Sequence, residues 1–205
     1  MHQVFEISHS GRADTALFVP EEHYILDYKG RVCLLVYGQD KKGVPFDQFA
    51  IGSYGIEGKE GTFRDAEDGE LSGSAVEHGG VDSVIRLSFK VPAGESVGAD
   101  YWIVAGDSQA MLERTHKTLL SDTVTDRERR SRKWWADWFA PAEPKLAKLD
   151  DKYRIISKKS MMVIKAHCDH RGGIIASCDS SIYNYGRDYY SYVWPRDGAY
   201  AIWPL

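Results

Sequence analysis

The sequence predicts an α+β chain of more than one domain, an antiparallel β-sandwich followed by helices. Three observations predict it. Short β-rich runs broken by glycines occupy the chain from Met1 to about Ala105. After Gly106 the spacing of apolar residues changes to a helical period. Strands also precede helices instead of alternating with them, which points to segregated domains and away from a parallel α/β sheet.

The strands come first. Arg31-Val-Cys-Leu-Leu-Val-Tyr37 is β-rich and stops at Gly38. Val84-Ile-Arg-Leu-Ser-Phe-Lys-Val91 alternates in part, with Val84, Leu87, Phe89 and Val91 apolar, and ends at Pro92. Tyr101-Trp-Ile-Val-Ala105 is closed by Gly106. Gly52, Gly55, Gly58, Gly61, Gly69, Gly73, Gly79 and Gly80 supply the breaks between runs. Short strands at such spacing favour a sandwich.

The helices follow. Ser108 is a good N-cap for a helix to about Leu120, with Met111, Leu112, Leu119 and Leu120 as its apolar stripe. Asp122-Thr-Val-Thr-Asp126 breaks the pattern, and a second helix is predicted from near Asp126 to before Pro141. Pro141 and Pro144 mark a linker. A third helix is predicted from about Asp150 to Cys168, turning Tyr153, Ile156, Val163, Ile164 and His167 inward. Gly172 and Gly173 end it. An extended stretch, Ile174 to Cys178, leads into a tyrosine-rich loop, and a fourth helix is predicted near Asp197, with Asp197 as its N-cap. Pro204 falls in the expected interior of that helix, where proline costs about 3 kcal/mol, so a kink or a frayed end is expected.

Composition narrows the function classes. The 205 residues carry a net charge of −4, which argues against nucleic acid as the main partner, because phosphate binding needs a positive excess. Six Trp and twelve Tyr suit stacking on sugars, but aromatics fill cores equally well, so their number alone decides nothing. Cys33, Cys168 and Cys178 are an odd set at wide spacing, unlike a disulfide framework. The stretch Met1 to Gly11 lacks the pattern of a signal peptide, and no apolar run is long enough to span a membrane. The expected location is the cytoplasm, with reduced thiols.

Three clusters invite chemistry. His167-Cys-Asp-His170 with Cys178 has residue types that bind zinc, yet no second paired set accompanies it, and histidines also suit a helix C-terminus. The latter reading is preferred. Arg127-Glu-Arg-Arg-Ser-Arg-Lys133, followed by Trp134, Trp135 and Trp138, has the look of a membrane or nucleic-acid helix. One short basic run in an acidic chain is more simply a solvated helix whose Trp135, Trp138 and Phe139 face a domain interface. Arg196 and Asp197 set a guanidinium beside a carboxylate, a pair able to donate to and accept from vicinal hydroxyls. From spacing alone, a structural ion pair among core aromatics is the simpler reading.

The block Gly173-Ile-Ile-Ala-Ser-Cys-Asp179, then Arg187-Asp-Tyr-Tyr-Ser-Tyr-Val-Trp-Pro-Arg-Asp-Gly198, resembles the first catalytic-domain motif of glycoside hydrolase family 15, the glucoamylase, glucodextranase and trehalase family. Phe63-Arg-Asp-Ala-Glu-Asp-Gly-Glu-Leu-Ser72 with Val81-Asp-Ser83, and Tyr101-Trp-Ile-Val-Ala-Gly106, are similar to its N-terminal β-domain. Trp135-Ala-Asp-Trp138 is similar to its linker helix. The resemblance covers most of the chain. It implies a super-sandwich domain over 1–107, a helical linker over 108–149, and the start of an incomplete (α/α)6 barrel over 150–205.

The resemblance also implies a function. Family members hydrolyse α-glucosidic bonds with inversion, one carboxylate protonating the leaving oxygen and another activating water. In the family both lie on later barrel loops, which places them beyond Leu205, so no catalytic residue is expected here and the chain alone is expected to be inactive. Glu67, Asp68 and Glu70 belong to a turn of the β-domain. By the motif, Arg196 and Asp197 bind hydroxyls of the terminal glucose, Trp194 and Tyr190 pack beside its ring, and Tyr192 is core. No cofactor and no metal are implied. The implied ligands are an α-glucan, a maltooligosaccharide or trehalose, and the implied protein partners are the rest of the barrel or a second copy of the chain. The alternatives are a non-catalytic carbohydrate-binding or assembly sandwich, or one half of a split enzyme docking through Ile155-Ile156 and Val163-Ile164.

Overall fold

The computed structural model of the chain describes residues 1–5, 7, 12–55, 57–176 and 192–203. The strands are β1 His2–Val4, β2 Asp14–Val19, β3 Tyr24–Lys29, β4 Val32–Asp40, β5 Gln48–Ser53, β6 Val76–Gly79, β7 Val81–Arg86 and β8 Ala99–Gly106. The helices are α1 Gln109–Leu120, α2 Val124–Phe139, α3 Glu143–Leu146, α4 Asp151–Ala166 and α5 Pro195–Ala201. The chain divides into two units, Met1–Val124 and Thr125–Leu205.

Two antiparallel sheets build the first unit, in the orders β1-β7-β5 and β6-β2-β3-β4-β8. The strands β2, β3 and β4 form a meander. A two-residue loop joins β3 to β4, with Gly30 at φ +58° in the position where tight hairpins favour glycine. Alternation then gives the larger sheet two buried faces. One face turns Asp14, Ala16, Phe18, Ile25, Asp27 and Val36 toward the smaller sheet. Phe18 stacks on Phe49 of β5 at 3.9 Å between ring centroids. The Tyr101 hydroxyl donates across to Gln3 Oε1 of β1 at 3.4 Å.

The other face carries Tyr24, Leu26, Leu35, Tyr37, Trp102 and Val104, all buried. Helix α1 covers it. The buried residues of α1 are Leu112 and His116, and Leu119 packs partly against the same core. Met111 and Leu120, expected on the inward stripe, are 39% and 44% exposed. His116, one turn after Leu112 and outside the expected stripe, is buried beside it. Ser108 stands at the N-cap, but its hydroxyl donates to Asp107 Oδ1 and its oxygen accepts no N–H of the helix.

The Trp102 indole donates to His116 Nδ1 at 3.1 Å, so this imidazole is an acceptor there and neutral. Burial holds its pKa below the usual value. A depressed histidine contributes stability above its unfolded pKa and loses it as pH falls through the folded one. His116→Gln keeps an acceptor without the titration. Relative to the parent chain, its melting temperature is expected to gain between pH 7 and pH 5, as followed by circular dichroism; a constant difference between the two chains would exclude His116 as a contributor.

Asp82 on β7 fixes the far side of the smaller sheet. Its Oδ2 accepts from the Thr62 N–H at 2.7 Å and the Thr62 hydroxyl at 3.0 Å, and lies 2.6 Å from His2 Nε2. This buried carboxylate staples the loop at Gly61–Thr62 onto the sheet. The β7 strand stops at Arg86, earlier than the alternation to Val91 suggested. Phe89 and Val91 are 40% and 60% exposed, and the Arg86 guanidinium is held at the strand end by Asp47 and Glu70. Asp65–Asp68 forms a 3-10 turn in the segment that holds Glu67, Asp68 and Glu70.

In the second unit Phe139, Leu146 and Met161 are buried, with Trp135, Trp138 and Ala142 packed against them. The aromatic stripe of α2 thus has partners on α3 and α4 within its own unit. The basic face of α2 is matched by acids one turn away, Arg129 with Asp126, Arg132 with Glu128 and Lys133 with Asp137. Such exposed pairs mark a solvated face. Pro144 sits in the first turn of α3, where its missing N–H is harmless, so one helical turn forms inside the expected linker. On α4 the expected inward stripe is corrected. Tyr153, Ile156 and Val163 are 58%, 52% and 57% exposed, and the buried residue is Met161. Periodicity identifies an apolar face, but burial needs something packed on it, and the described residues of this unit cover the Met161 side.

Candidate functional site

The site is built at the C-terminal end of α4. The His167 ring donates from Nδ1 to the Val163 carbonyl at 2.7 Å and closes the last turn. Asp169 then folds the chain back. Its Oδ1 accepts the N–H groups of Arg171 and Gly173 at 2.8 Å each, and its own N–H donates to the Gly173 carbonyl at 2.8 Å. These bonds from Gly173 and Arg171 hold the Asp169 carboxyl below its usual pKa. Gly172, at φ +86°, supplies the left-handed step that the turn requires.

The returning strand pairs twice. Ile174 bridges Cys168, and Ile175 bridges Val193. The Ile175 N–H donates to the His167 carbonyl at 3.1 Å, and the Ala176 N–H to the Tyr192 carbonyl at 3.4 Å. This neck delivers Trp194 as the N-cap of α5, with Pro195 in the first turn. Ile174, Ile175 and Ala176 on one side, and Trp194, Asp197, Gly198 and Ala201 on the other, enclose a hollow of about 250 Å³.

The predicted site residues distribute as follows. Trp194 and Asp197 both line the hollow. Arg196 does not; its side chain is 85% exposed, with Nη2 at 3.8 Å from Asp197 Oδ2. Tyr190 lies outside the described residues. Two expectations are corrected. Asp197 is the third residue of α5 and not its N-cap, because Pro195, with φ preset for a helix, starts α5 two residues earlier. Tyr192, expected in the core, is 52% exposed: it stands one residue before the Ile175–Val193 bridge, at the surface of the neck.

Sequence reasoning missed Gly198 and Ala201, together with the Ile174–Ala176 wall. Helical spacing was the available signal. Positions 194, 197, 198 and 201 recur at i, i+3, i+4 and i+7 and share one face, whereas position 196 falls about 100° or more away from it. The zinc reading finds no support in this geometry. His167 and Asp169 are engaged in local turns, Cys178 lies outside the described residues, and no group of three or more ligand-type side chains is gathered among the described ones. The described helices include none long and apolar enough to cross a membrane.

A two-sheet sandwich followed by short helices, with a tryptophan and a carboxylate meeting in a hollow at the head of the last one, defines the architecture. It is similar to that of a bacterial glucoamylase solved in complex with acarbose, at a TM-score of 0.72 and 16% sequence identity, over 96% of this chain. The chain spans 28% of the length of that glucoamylase chain. No protein-family model matches the chain, and no curated protein matches it. The fold is therefore that of the sandwich and first helices of a glucoamylase, as the resemblance to the N-terminal portion of glycoside hydrolase family 15 implied.

Proposed function

We propose that the chain is the N-terminal part of an inverting, exo-acting α-glucosidase of glucoamylase or trehalase type. The observation that carries the reading is the match of nearly the whole chain to a portion of a glucoamylase fold. The hollow supports it. Asp197 presents a carboxylate for sugar hydroxyls, and the 45% exposed Trp194 offers an aromatic wall beside it. The exposed Arg196 guanidinium and, by the motif, Tyr190 complete the proposed sugar contacts. The general acid and base are proposed to come from polypeptide outside these 205 residues. The same polypeptide, in cis or as a second chain, would cover Tyr153, Ile155, Ile156 and Val163, each more than half exposed. The proposed ligand is an α-glucan, a maltooligosaccharide or trehalose. The proposed location is the cytoplasm, in keeping with free thiols at Cys33 and Cys168; a disulfide found by mass spectrometry in the native chain would count against it.

The test is glucose release from maltose, maltotetraose and trehalose by the purified chain. No release is expected. Release that disappears in Asp197→Ala would place the catalytic groups within these residues and sink the proposed division of labour. In a polypeptide that carries the whole barrel, Asp197→Ala is expected to lower kcat/KM on the order of 100-fold, the scale of losing charged hydrogen bonds to substrate. An unchanged kcat/KM would remove Asp197 from the sugar site.

A further inference from the structure

Asp27 stands in the middle of β3, far along the chain from the residues of the proposed sugar site, on the face turned to the smaller sheet. It is 2% exposed, and its Oδ2 has no hydrogen-bond partner among the described residues. An isolated carboxylate in such a place is strongly disfavoured. The groups around it do not relieve this. On its own strand and face, Lys29 lies with Nζ at 3.1 Å from Asp14 Oδ1 and also donates to the Arg12 carbonyl. Asp14, on β2, is fully buried and adds a negative charge. Glu77 on β6 pairs with Ala16, which pairs with Asp27, so it shares the face two strands away. On β4 the residue opposite is the neutral Leu34. From the smaller sheet, Asp82 adds a further negative charge beside His2, and Gln3 donates to Ser83 Oγ at 2.7 Å. Tyr101 on β8 gives its hydroxyl to Gln3. Burial, then the charges of Asp14 and Asp82, push Asp27 up to about 7.

We propose that Asp27 is carried as the neutral acid while the two sheets are closed, and that its ionisation loosens the sandwich, which makes the first unit a pH-responsive element. The linkage has a definite sign. The folded-state pKa is raised above the ordinary carboxyl value of 3.8. The contribution is thus fully present below that value and is lost as pH rises through the folded pKa. Across that window the folded-to-open ratio falls up to about tenfold per pH unit. This is opposite in sign to the effect of His116, so the two are separable by substitution.

Amide hydrogen exchange of β3 and β7, corrected for the intrinsic pH dependence of exchange, tests the proposal on the full chain. Protection in the parent chain is expected to fall about tenfold or more between pH 5 and pH 8, and that fall is expected to vanish in Asp27→Asn, whose amide mimics the protonated acid and which keeps only the opposite trend from His116. Parallel profiles for the two chains would overturn the proposal. Should Asp27→Asn fail to fold, the infrared carbonyl band of a buried carboxylic acid decides on the parent chain alone. A band present at pH 5.5 that titrates away by pH 8 supports the proposal, and its absence at pH 5.5 overturns it. Neither readout depends on sugar binding, so this inference can fail or stand without the functional reading.

Discussion

Gly61→Ala is expected to melt the first unit roughly ten degrees or more below the parent chain. Two separate penalties meet at this position. Gly61 has φ +111°, a region closed to residues with a side chain, and such strain costs about 1–3 kcal/mol. A Cβ there would also stand 2.5 Å from Asp82 Oδ2 and 2.9 Å from Tyr54 Cδ2. The carboxylate cannot retreat without releasing the Thr62 N–H and hydroxyl and the His2 ring that it holds. Leaving buried polar groups without partners adds roughly 1–3 kcal/mol. Gly58→Ala is the matched control, because Gly58 shares a positive φ of +74° but has nothing within 4 Å of its would-be Cβ. Calorimetry should show the Gly61 variant well below the Gly58 variant; equal melting temperatures would mean that Asp82 does not anchor this loop.

Leu112→Ala is expected to destabilise the same unit by about 2–5 kcal/mol. Leu112 is fully buried, and its Cδ2 lies 3.0 Å from where a Cβ on Gly106 would be, so the side chain fills the space against β8 completely. Truncation leaves a cavity that the flanking Trp102 and Val104 cannot close without moving the helix. Leu120→Ala, at a position 44% exposed, should change stability by no more than about 0.5 kcal/mol. Urea unfolding of both variants makes the comparison. A loss at Leu112 no larger than at Leu120 would detach α1 from the sandwich core.

Sequence made the strands legible where β-branched and aromatic residues are dense, as in β4 and β8. It was silent on β3, because Asp27 interrupts the apolar run and aspartate is depleted in strands. The period of α1 was readable but its face was drawn one step wrong, since His116 scores as polar and is buried through a bond to Trp102 that no local pattern reveals. On α4 the apolar stripe was visible, yet a stripe records what a helix offers and not what packs on it. The proposed sugar residues were legible as a string, Trp194-Pro-Arg-Asp197, while their division into lining and exposed positions came from the rotation of a helix that starts at Pro195 and not at Asp197. The partner wall at Ile174–Ala176 depends on the Asp169 turn, a conformation set by backbone hydrogen bonds that spacing does not encode.

The pairing of β1 with β7 has a temporal side. His2 lies opposite Val84 and Val4 opposite Asp82, so the first strand finds its neighbour only after the whole meander has been synthesised. At ordinary ribosomal speeds that is a wait on the order of ten seconds. During it the β2-β3-β4 hairpins can form from near neighbours, while the face bearing Asp14 and Asp27 stays wet and Asp27 can keep its charge. Closure of the smaller sheet over that face is then the late step on the nascent chain, and the neutral Asp27 proposed above would couple that step to uptake of a proton.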